Sequence, residues 1–155
     1  MASEQFAREL MVGSGPERCW EVLTDVARLV SWVTIVHDLV EIQRLATYSA
    51  VLQDRLGPFK LRAALHIRVE VLEDGRRIQL HAAGKDTQIS SQIAVDATLE
   101  LRSTAAGGTV VATEGTYQVV GRVATMGSGV IRKKADRILE DFFSNADAEL
   151  AAAPG

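Results

Sequence analysis

A long amphipathic stretch at residues 121–150 constrains the fold more than any other feature of the chain. Its apolar residues recur at steps of three and four, at Val123, Gly127, Ile131, Ala135, Ile138, Phe142, Ala146 and Leu150. This spacing predicts one helix of about 45 Å with a continuous apolar stripe along one side. Such a helix needs a large apolar surface to lie against, so the rest of the chain must supply one.

The residues from 35 to 119 supply that surface, because apolar and polar side chains alternate there with the period of a β-strand. Turn sequences such as Gly57-Pro58, Asp74-Gly75 and Gly84-Lys-Asp86 divide the alternation. The pattern predicts six strands, at residues 35–43, 46–56, 59–72, 76–83, 88–101 and 108–119. Upstream, it predicts a strand at 3–12 and, after Gly13-Ser-Gly-Pro16, two short helices at 17–23 and 25–32.

Short connections between the strands indicate antiparallel neighbours, and the alternation gives the sheet one apolar and one wet face. The predicted fold is therefore α+β. A curved, seven-stranded antiparallel sheet surrounds the long C-terminal helix, and two short helices follow the first strand. We expect a single ligand-binding domain over residues 1–150 and a disordered tail at 151–155.

Composition and charge narrow the function classes. The 155-residue chain has 17 basic and 20 acidic residues, and a formal net charge of −3 argues against nucleic acid as the main partner. No apolar run approaches the ~20 residues of a membrane span, and residues 1–12 lack the apolar segment of a signal peptide. We therefore expect a cytoplasmic protein.

The sequence shows no spacing typical of catalysis or metal binding. His37, His66 and His81 fall on separate predicted strands and indicate solvated surface positions. The lone Cys19 excludes an intramolecular disulfide and favours a small buried side chain. The glycines around Ser128 fit neither a nucleophile elbow nor a phosphate-binding loop. We expect no catalytic residue, no metal and no covalent cofactor.

Small residues at facing positions predict a cavity between the helix and the sheet. Ala63, Ala97 and Gly115 face inward on strands, and Gly127 and Ala135 lie on the helix stripe. An apolar cavity is the usual form of a small-molecule site, whereas the same pattern also allows a core that is completely filled. The candidate ligand-binding residues are Trp20, Leu52, Leu65, Ile67, Ile93, Val95, Tyr117, Gly127, Ile131, Ile138 and Phe142.

Polar residues near this core leave further alternatives open. Asp54 shares the inward face of its strand, and Tyr117 offers a phenol inside; a buried Asp–Tyr pair suits acid–base chemistry, but a polar handle in a binding pocket requires no reaction. On the helix, a basic cluster indicates either a solvated face paired with Glu140 and Asp141 or a surface that docks to an acidic partner or an anionic membrane. The cluster comprises Arg132, Lys133, Lys134 and Arg137, and docking would use Arg132, Lys133 and Arg137.

Motifs along nearly the whole chain resemble those of one family. The C-terminal part resembles the signature of the family of the carbon monoxide dehydrogenase protein CoxG at Gly108-Thr109, Glu114, Gly121-Arg-Val-Ala-Thr-Met-Gly127, Ala135 and Phe142-Phe143. Earlier segments resemble the family at Val22-Leu-Thr-Asp25, Tyr48-Ser-Ala50, Leu56-Gly-Pro58 and Gly84-Lys-Asp86. The chain departs from the family at Trp32-Val-Thr-Ile35, where members usually have a Cys-Ile-Pro-Gly-like turn, and at Ala151-Ala-Ala-Pro-Gly155, where some members carry a longer tail.

The resemblance implies a helix-grip domain of the START-like (SRPBCC) superfamily and a non-catalytic accessory protein of carbon monoxide dehydrogenase-type molybdenum hydroxylases. Such proteins are linked with bringing the enzyme to the membrane and with carrying a quinone or lipid in the cavity. Implied partners are that hydrophobic molecule, molybdenum hydroxylase subunits and the inner face of the membrane. The alternatives are an enzyme of the polyketide cyclase or aromatase type that uses Tyr117 and Asp54, and an adaptor with a filled core.

Overall fold

A computed structural model describes residues 2–151. The strands are β1 (Ala2–Val12), β2 (Val36–Gln43), β3 (Thr47–Leu56), β4 (Phe59–Glu73), β5 (Arg77–Asp86), β6 (Ser91–Ser103) and β7 (Thr109–Gly121). Two short helices, α1 (Pro16–Thr24) and α2 (Val26–Ser31), follow β1, and a 3₁₀ turn at Arg122–Met126 precedes the long helix α3 (Ser128–Leu150). The predicted order of elements is confirmed. The tail predicted at 151–155 lies outside the described residues, except for Ala151.

All neighbouring strands are antiparallel, in the spatial order β1-β7-β6-β5-β4-β3-β2. β1 pairs with β7 from Ala2 opposite Val119 to Val12 opposite Thr109, so the first strand lies at the edge beside the last one. Burial alternates along β4, where every second residue from Leu61 to Val69 is buried and the residues between them are exposed. One face of the sheet therefore belongs to the core, as the alternation predicts.

The two short helices are defined by local sequence. Pro16 occupies the first turn of α1, and the side chain of Asp25 caps α2 by accepting a hydrogen bond from the Arg28 N–H at 3.4 Å. Cys19 on α1 is fully buried, as predicted, and burial raises the pKa of its thiol. No helix within residues 2–151 is long and apolar enough to cross a membrane.

The prediction of one continuous helix over residues 121–150 is wrong at its beginning. Gly121 and Gly127 have φ angles of +95° and +96°, which a helix cannot contain, and the five residues between them form the 3₁₀ turn. A Cβ on Gly121 would overlap the Ser90 carbonyl oxygen and lie 2.8 Å from Ser91 Cα, so the turn requires glycine there. α3 therefore has 23 residues and is about 35 Å long.

The turn predicted at Gly84-Lys-Asp86 is also wrong, because these residues end β5 and the chain reverses at residues 87–90. Gly84 stays in the strand and makes room for Leu65, whose Cδ2 would lie 2.6 Å from a Cβ at this position. The buried Asp86 carboxylate accepts backbone hydrogen bonds from Arg62 at 2.8 Å and Gln88 at 3.0 Å, which fixes the reversal just after it.

The long helix is held at the edges of the concave face. Its backbone comes closest to β1, α1 and the 3₁₀ turn rather than to the central strands. At its C-terminal end, the Ser14 N–H donates to the Leu150 carbonyl oxygen at 3.3 Å, and Phe142 packs edge-on against Trp32 with ring centroids 5.5 Å apart. The space between α3 and the middle of the sheet is left for side chains alone.

We expect Gly121→Ala to lower the free energy of unfolding by about 2 kcal/mol or more, because alanine is strained at this φ angle and overlaps the Ser90 carbonyl. Gly129→Ala is the matched control, since it lies in α3 with no atom within 4 Å of an added Cβ, and it should raise stability by about 0.5 kcal/mol. Urea denaturation followed by circular dichroism measures both changes. Equal effects of the two substitutions would contradict the proposed role of Gly121.

Candidate ligand-binding cavity

A cavity of about 300 Å³ lies between α3 and the concave face of the sheet. All seven strands contribute to its wall, together with α2, the 3₁₀ turn and α3. Inward-facing residues of the central strands, such as Ala82 and Val95, are only half-buried although they face the core. Their exposure follows from the position of α3, which stands away from the middle of the sheet.

Nine of the residues predicted to bind a ligand line this cavity: Leu52, Leu65, Ile67, Ile93, Val95, Tyr117, Ile131, Ile138 and Phe142. Trp20 and Gly127 are not part of its wall. Trp20 is half-buried on α1 against other core residues, and Gly127 is exposed at the junction before α3 with open space around it. Both leave the candidate site, and ligand binding by the other nine stays a prediction.

The small residues contribute to the cavity only in part. Ala97 and Ala135 line it, whereas Ala63 and Gly115 do not. Gly115 lies opposite Phe6 of β1, and the Phe6 ring would come within 2.8 Å of a Cβ at this position. An aromatic ring thus occupies the space that the glycine leaves, and that ring itself becomes part of the cavity wall.

Several wall residues escape prediction because they come from the edge of the sheet and from the connection between α2 and β2. They are Phe6, Leu29, Val30, Val33, Ile35, Val36 and Leu139. Periodicity alone assigns residues 35–36 to a strand, and no sequence pattern indicates that this connection turns its side chains toward the cavity. Leu139 follows Ile138 on α3 and widens the apolar stripe beyond the predicted positions.

Four polar side chains line the cavity: Asp54, Thr113, Tyr117 and Lys134. Asp54 on β3 and Lys134 on α3 form an ion pair, with Oδ1 and Nζ 3.0 Å apart and side-chain exposures of 17% and 33%. The cavity therefore reaches the surface beside this pair. The sequence predicts the inward position of Asp54 but groups Lys134 with the basic cluster, although Lys134 lies three residues after Ile131 and four before Ile138, which is the spacing of the apolar stripe.

Two buried hydroxyl groups in the cavity wall lack a hydrogen-bond partner among the described residues, Thr113 Oγ1 and Tyr117 OH. Burial raises the pKa of the Tyr117 phenol; the charges of Glu4 and Asp136 raise it further, and Arg132 lowers it. The phenol is thus protonated at neutral pH and can donate. The predicted Asp54–Tyr117 pair does not form, because Asp54 pairs with Lys134 and the Tyr117 hydroxyl stays unpartnered.

The basic cluster of α3 is only partly neutralised. Arg132 lies 4.0 Å from Glu4, and Lys134 turns inward to Asp54. Lys133 and Arg137 are exposed and have no carboxylate within ion-pair distance in the described part of the chain. The ion pairs of this helix thus reach β1 and β3 instead of following the predicted spacing to Glu140 and Asp141.

The histidines lie outside the cavity wall. His81 contacts the carboxylate of Asp96 on the outer face of β5 and β6, and His37 and His66 occupy exposed positions. Within residues 2–151, no group of three or more His, Cys, Asp or Glu side chains is arranged to hold a metal ion. The cavity is therefore the only concentration of unpartnered buried hydroxyls that faces open space in the described chain.

A curved sheet that holds a helix over an apolar cavity defines the START-like helix-grip class, and solved structures share this fold. A START superfamily protein from Mycobacterium smegmatis aligns with a TM-score of 0.68 at 10% identity, covering 94% of this chain and 96% of that one. A conserved protein from Geobacillus kaustophilus aligns with a TM-score of 0.82 at 19% identity, covering 95% of each chain. At these identities the likeness shows the fold alone.

The family follows from the sequence profile. The profile of the carbon monoxide dehydrogenase CoxG family matches residues 9–151, and the chain belongs to this family. A search among curated proteins finds no match. The resemblance drawn from the motifs is confirmed.

We expect the buried Tyr117 phenol to make the folded protein sensitive to alkali. Because its pKa is raised in the folded state, its stabilising contribution is present below about pH 10 and is lost as the pH rises through the folded-state value. Urea denaturation between pH 9 and pH 11 should therefore show a steeper loss of stability for the wild type than for Tyr117→Phe. Parallel losses would contradict the assignment of a buried phenol.

Proposed function

We propose that this protein binds a hydrophobic small molecule, a quinone or a lipid, in the cavity under α3 and catalyses no reaction on it. The observation that carries the proposal is the apolar cavity of about 300 Å³ with two unpartnered hydroxyls in its wall. Removing apolar ligand surface from water supplies about 25 cal/mol per Å², so a largely apolar molecule gains affinity without charged contacts.

The polar groups favour a ligand that carries a neutral oxygen acceptor. Tyr117 and Thr113 can each donate a hydrogen bond to a carbonyl or ether oxygen, which would remove the cost of leaving them unpaired. The charges of Asp54 and Lys134 compensate each other, so no unpaired cation of the wall is available to a carboxylate. This chemistry supports a quinone over a free fatty acid.

The family supports an accessory role. Its description names a subunit of carbon monoxide dehydrogenase, and we infer that this protein assists a molybdenum hydroxylase of that type by supplying a quinone or by helping the enzyme to associate with the membrane. Lys133, Arg137 and the partly paired Arg132 offer an exposed face of α3 for docking an acidic subunit.

The alternatives fit the geometry less well. A polyketide cyclase-like enzyme needs a base or acid beside Tyr117, but the nearest candidate from the sequence, Asp54, is held by Lys134. An adaptor with a filled core is at odds with a cavity that all seven strands help to line.

We expect Ala82→Leu to weaken the binding of menaquinone-4 at least about tenfold, because the added side chain enters the cavity. Ala83→Leu is the matched control, since Ala83 lies on the opposite face of β5 with His66 and Ala94 as its cross-strand neighbours. Quenching of tryptophan fluorescence during titration measures the affinity. Equal affinity of the two variants would place the ligand elsewhere.

We expect Tyr117→Phe to weaken menaquinone-4 binding about three- to tenfold through the loss of one hydrogen bond, and to leave binding of an unsubstituted hydrocarbon unchanged. Tyr48→Phe is the control, because the Tyr48 hydroxyl accepts the Leu45 N–H at 2.8 Å and is not part of the cavity wall. A Tyr117→Phe variant that binds menaquinone-4 like the wild type would remove the phenol from the recognition of the ligand.

A further inference from the structure

One end of the molecule carries cations that lack acidic partners. We call this surface the basic end and define it as Arg55, Lys60, Arg62, Lys85 and Arg122. All five are exposed, and none lies within ion-pair distance of a carboxylate in the described part of the chain.

The opposite end of the sheet is arranged differently. There Glu100 alone pairs with Arg76, Arg77 and Arg102, and the hydrogen bonds from Arg102 and Arg77 hold the pKa of its carboxyl below the usual value. Unpaired cations are thus concentrated at the basic end, in a protein whose net charge is −3.

Strand pairing brings the five side chains together. Arg55 and Lys60 lie directly opposite each other across the β3–β4 pair, beside the turn at Gly57-Pro58. The Arg122 guanidinium lies over the Phe59 ring, 5.9 Å from its centroid. Arg62 and Lys85 flank Asp86, which binds the Arg62 N–H. The cluster therefore surrounds one end of the sheet.

The carboxylates closest in sequence do not neutralise this cluster. Asp54 is committed to Lys134, and the buried Asp86 accepts backbone N–H groups of Arg62, Gln88 and Ile89. Like charges directly opposite on paired strands destabilise a sheet, so the Arg55–Lys60 pair carries a cost that nothing nearby offsets. An anionic surface would provide the missing opposite charge.

Apolar side chains and the mouth of the cavity share this end. Asp54 and Leu56, on either side of Arg55, line the cavity, and the Asp54–Lys134 pair is where it reaches solvent. Pro58 is exposed at the turn, the Met126 side chain lies on Gly57, and Val130 at the start of α3 is 43% exposed. Cations around exposed apolar residues fit a lipid surface better than a purely charged protein surface.

We propose that the basic end docks on an anionic phospholipid bilayer, with Pro58 and Val130 at the headgroup level and the cavity mouth toward the lipid. The inference rests on the proposed function, because a carrier that meets the bilayer at its own mouth can exchange an apolar ligand without carrying it through water. It assigns membrane contact to the sheet end, whereas the helix face of Lys133 and Arg137 points elsewhere.

Flotation with vesicles tests the proposal. The probes are phosphatidylcholine vesicles with and without phosphatidylglycerol, and the variants are Arg55→Glu/Lys60→Glu and the matched control Lys133→Glu/Arg137→Glu, which has the same change in charge. We expect the wild type and the control to float only with the anionic vesicles, and high salt to release them. The basic-end variant should bind at least tenfold more weakly, with unchanged circular dichroism.

The proposal is overturned if the wild type fails to float with anionic vesicles, or if both double variants lose binding equally. It is likewise overturned if the basic-end variant loses only the binding of an acidic protein. Menaquinone-4 titration in solution separates this inference from the proposed function. A wild type that floats but binds no menaquinone-4 contradicts the carrier role and leaves the docking surface standing.

Discussion

The structure depends on how α3 is suspended over the sheet. The helix is fixed at its beginning by the 3₁₀ turn between Gly121 and Gly127, and at its end by the bond from the Ser14 N–H to the Leu150 carbonyl. Along its length, ion pairs reach sideways, from Asp136 to Arg8 on β1 and from Lys134 to Asp54 on β3. A helix supported at its ends and sides can stand away from the central strands, and the cavity is the direct consequence.

This suspension has an energetic consequence. Wall residues such as Ala82 and Val95 remain half-buried, and a void deprives its lining of dispersion contacts that a filled core would make. The unpaired hydroxyls of Thr113 and Tyr117 add to that cost. A ligand that fills the space and accepts their hydrogen bonds would recover both contributions, and it would stabilise the folded state by mass action. Low occupancy of the core is therefore an argument for binding rather than a defect of folding.

Most of the fold could be predicted because period-two and period-3.6 patterns report directly which faces are buried. Prediction failed where backbone conformation mattered: the spacing of Val123 continues the helical stripe, but positive φ at Gly121 and Gly127 interrupts the helix, and spacing carries no information on φ. It also failed for contacts between distant segments. The inward position of Asp54 was visible in its strand, whereas its pairing with Lys134 depends on how α3 crosses the sheet, and Trp20 has the spacing of a core residue without being near the cavity.

Native mass spectrometry of the purified protein, followed by solvent extraction and identification of whatever is released, tests the central claim most directly. We expect a neutral hydrophobic molecule bearing a carbonyl or ether oxygen, present in a one-to-one ratio and absent from Ala82→Leu but retained by Ala83→Leu. A protein that is empty after purification and takes up no menaquinone-4 when it is added would contradict the account, because the cavity under α3 would then have no ligand to hold.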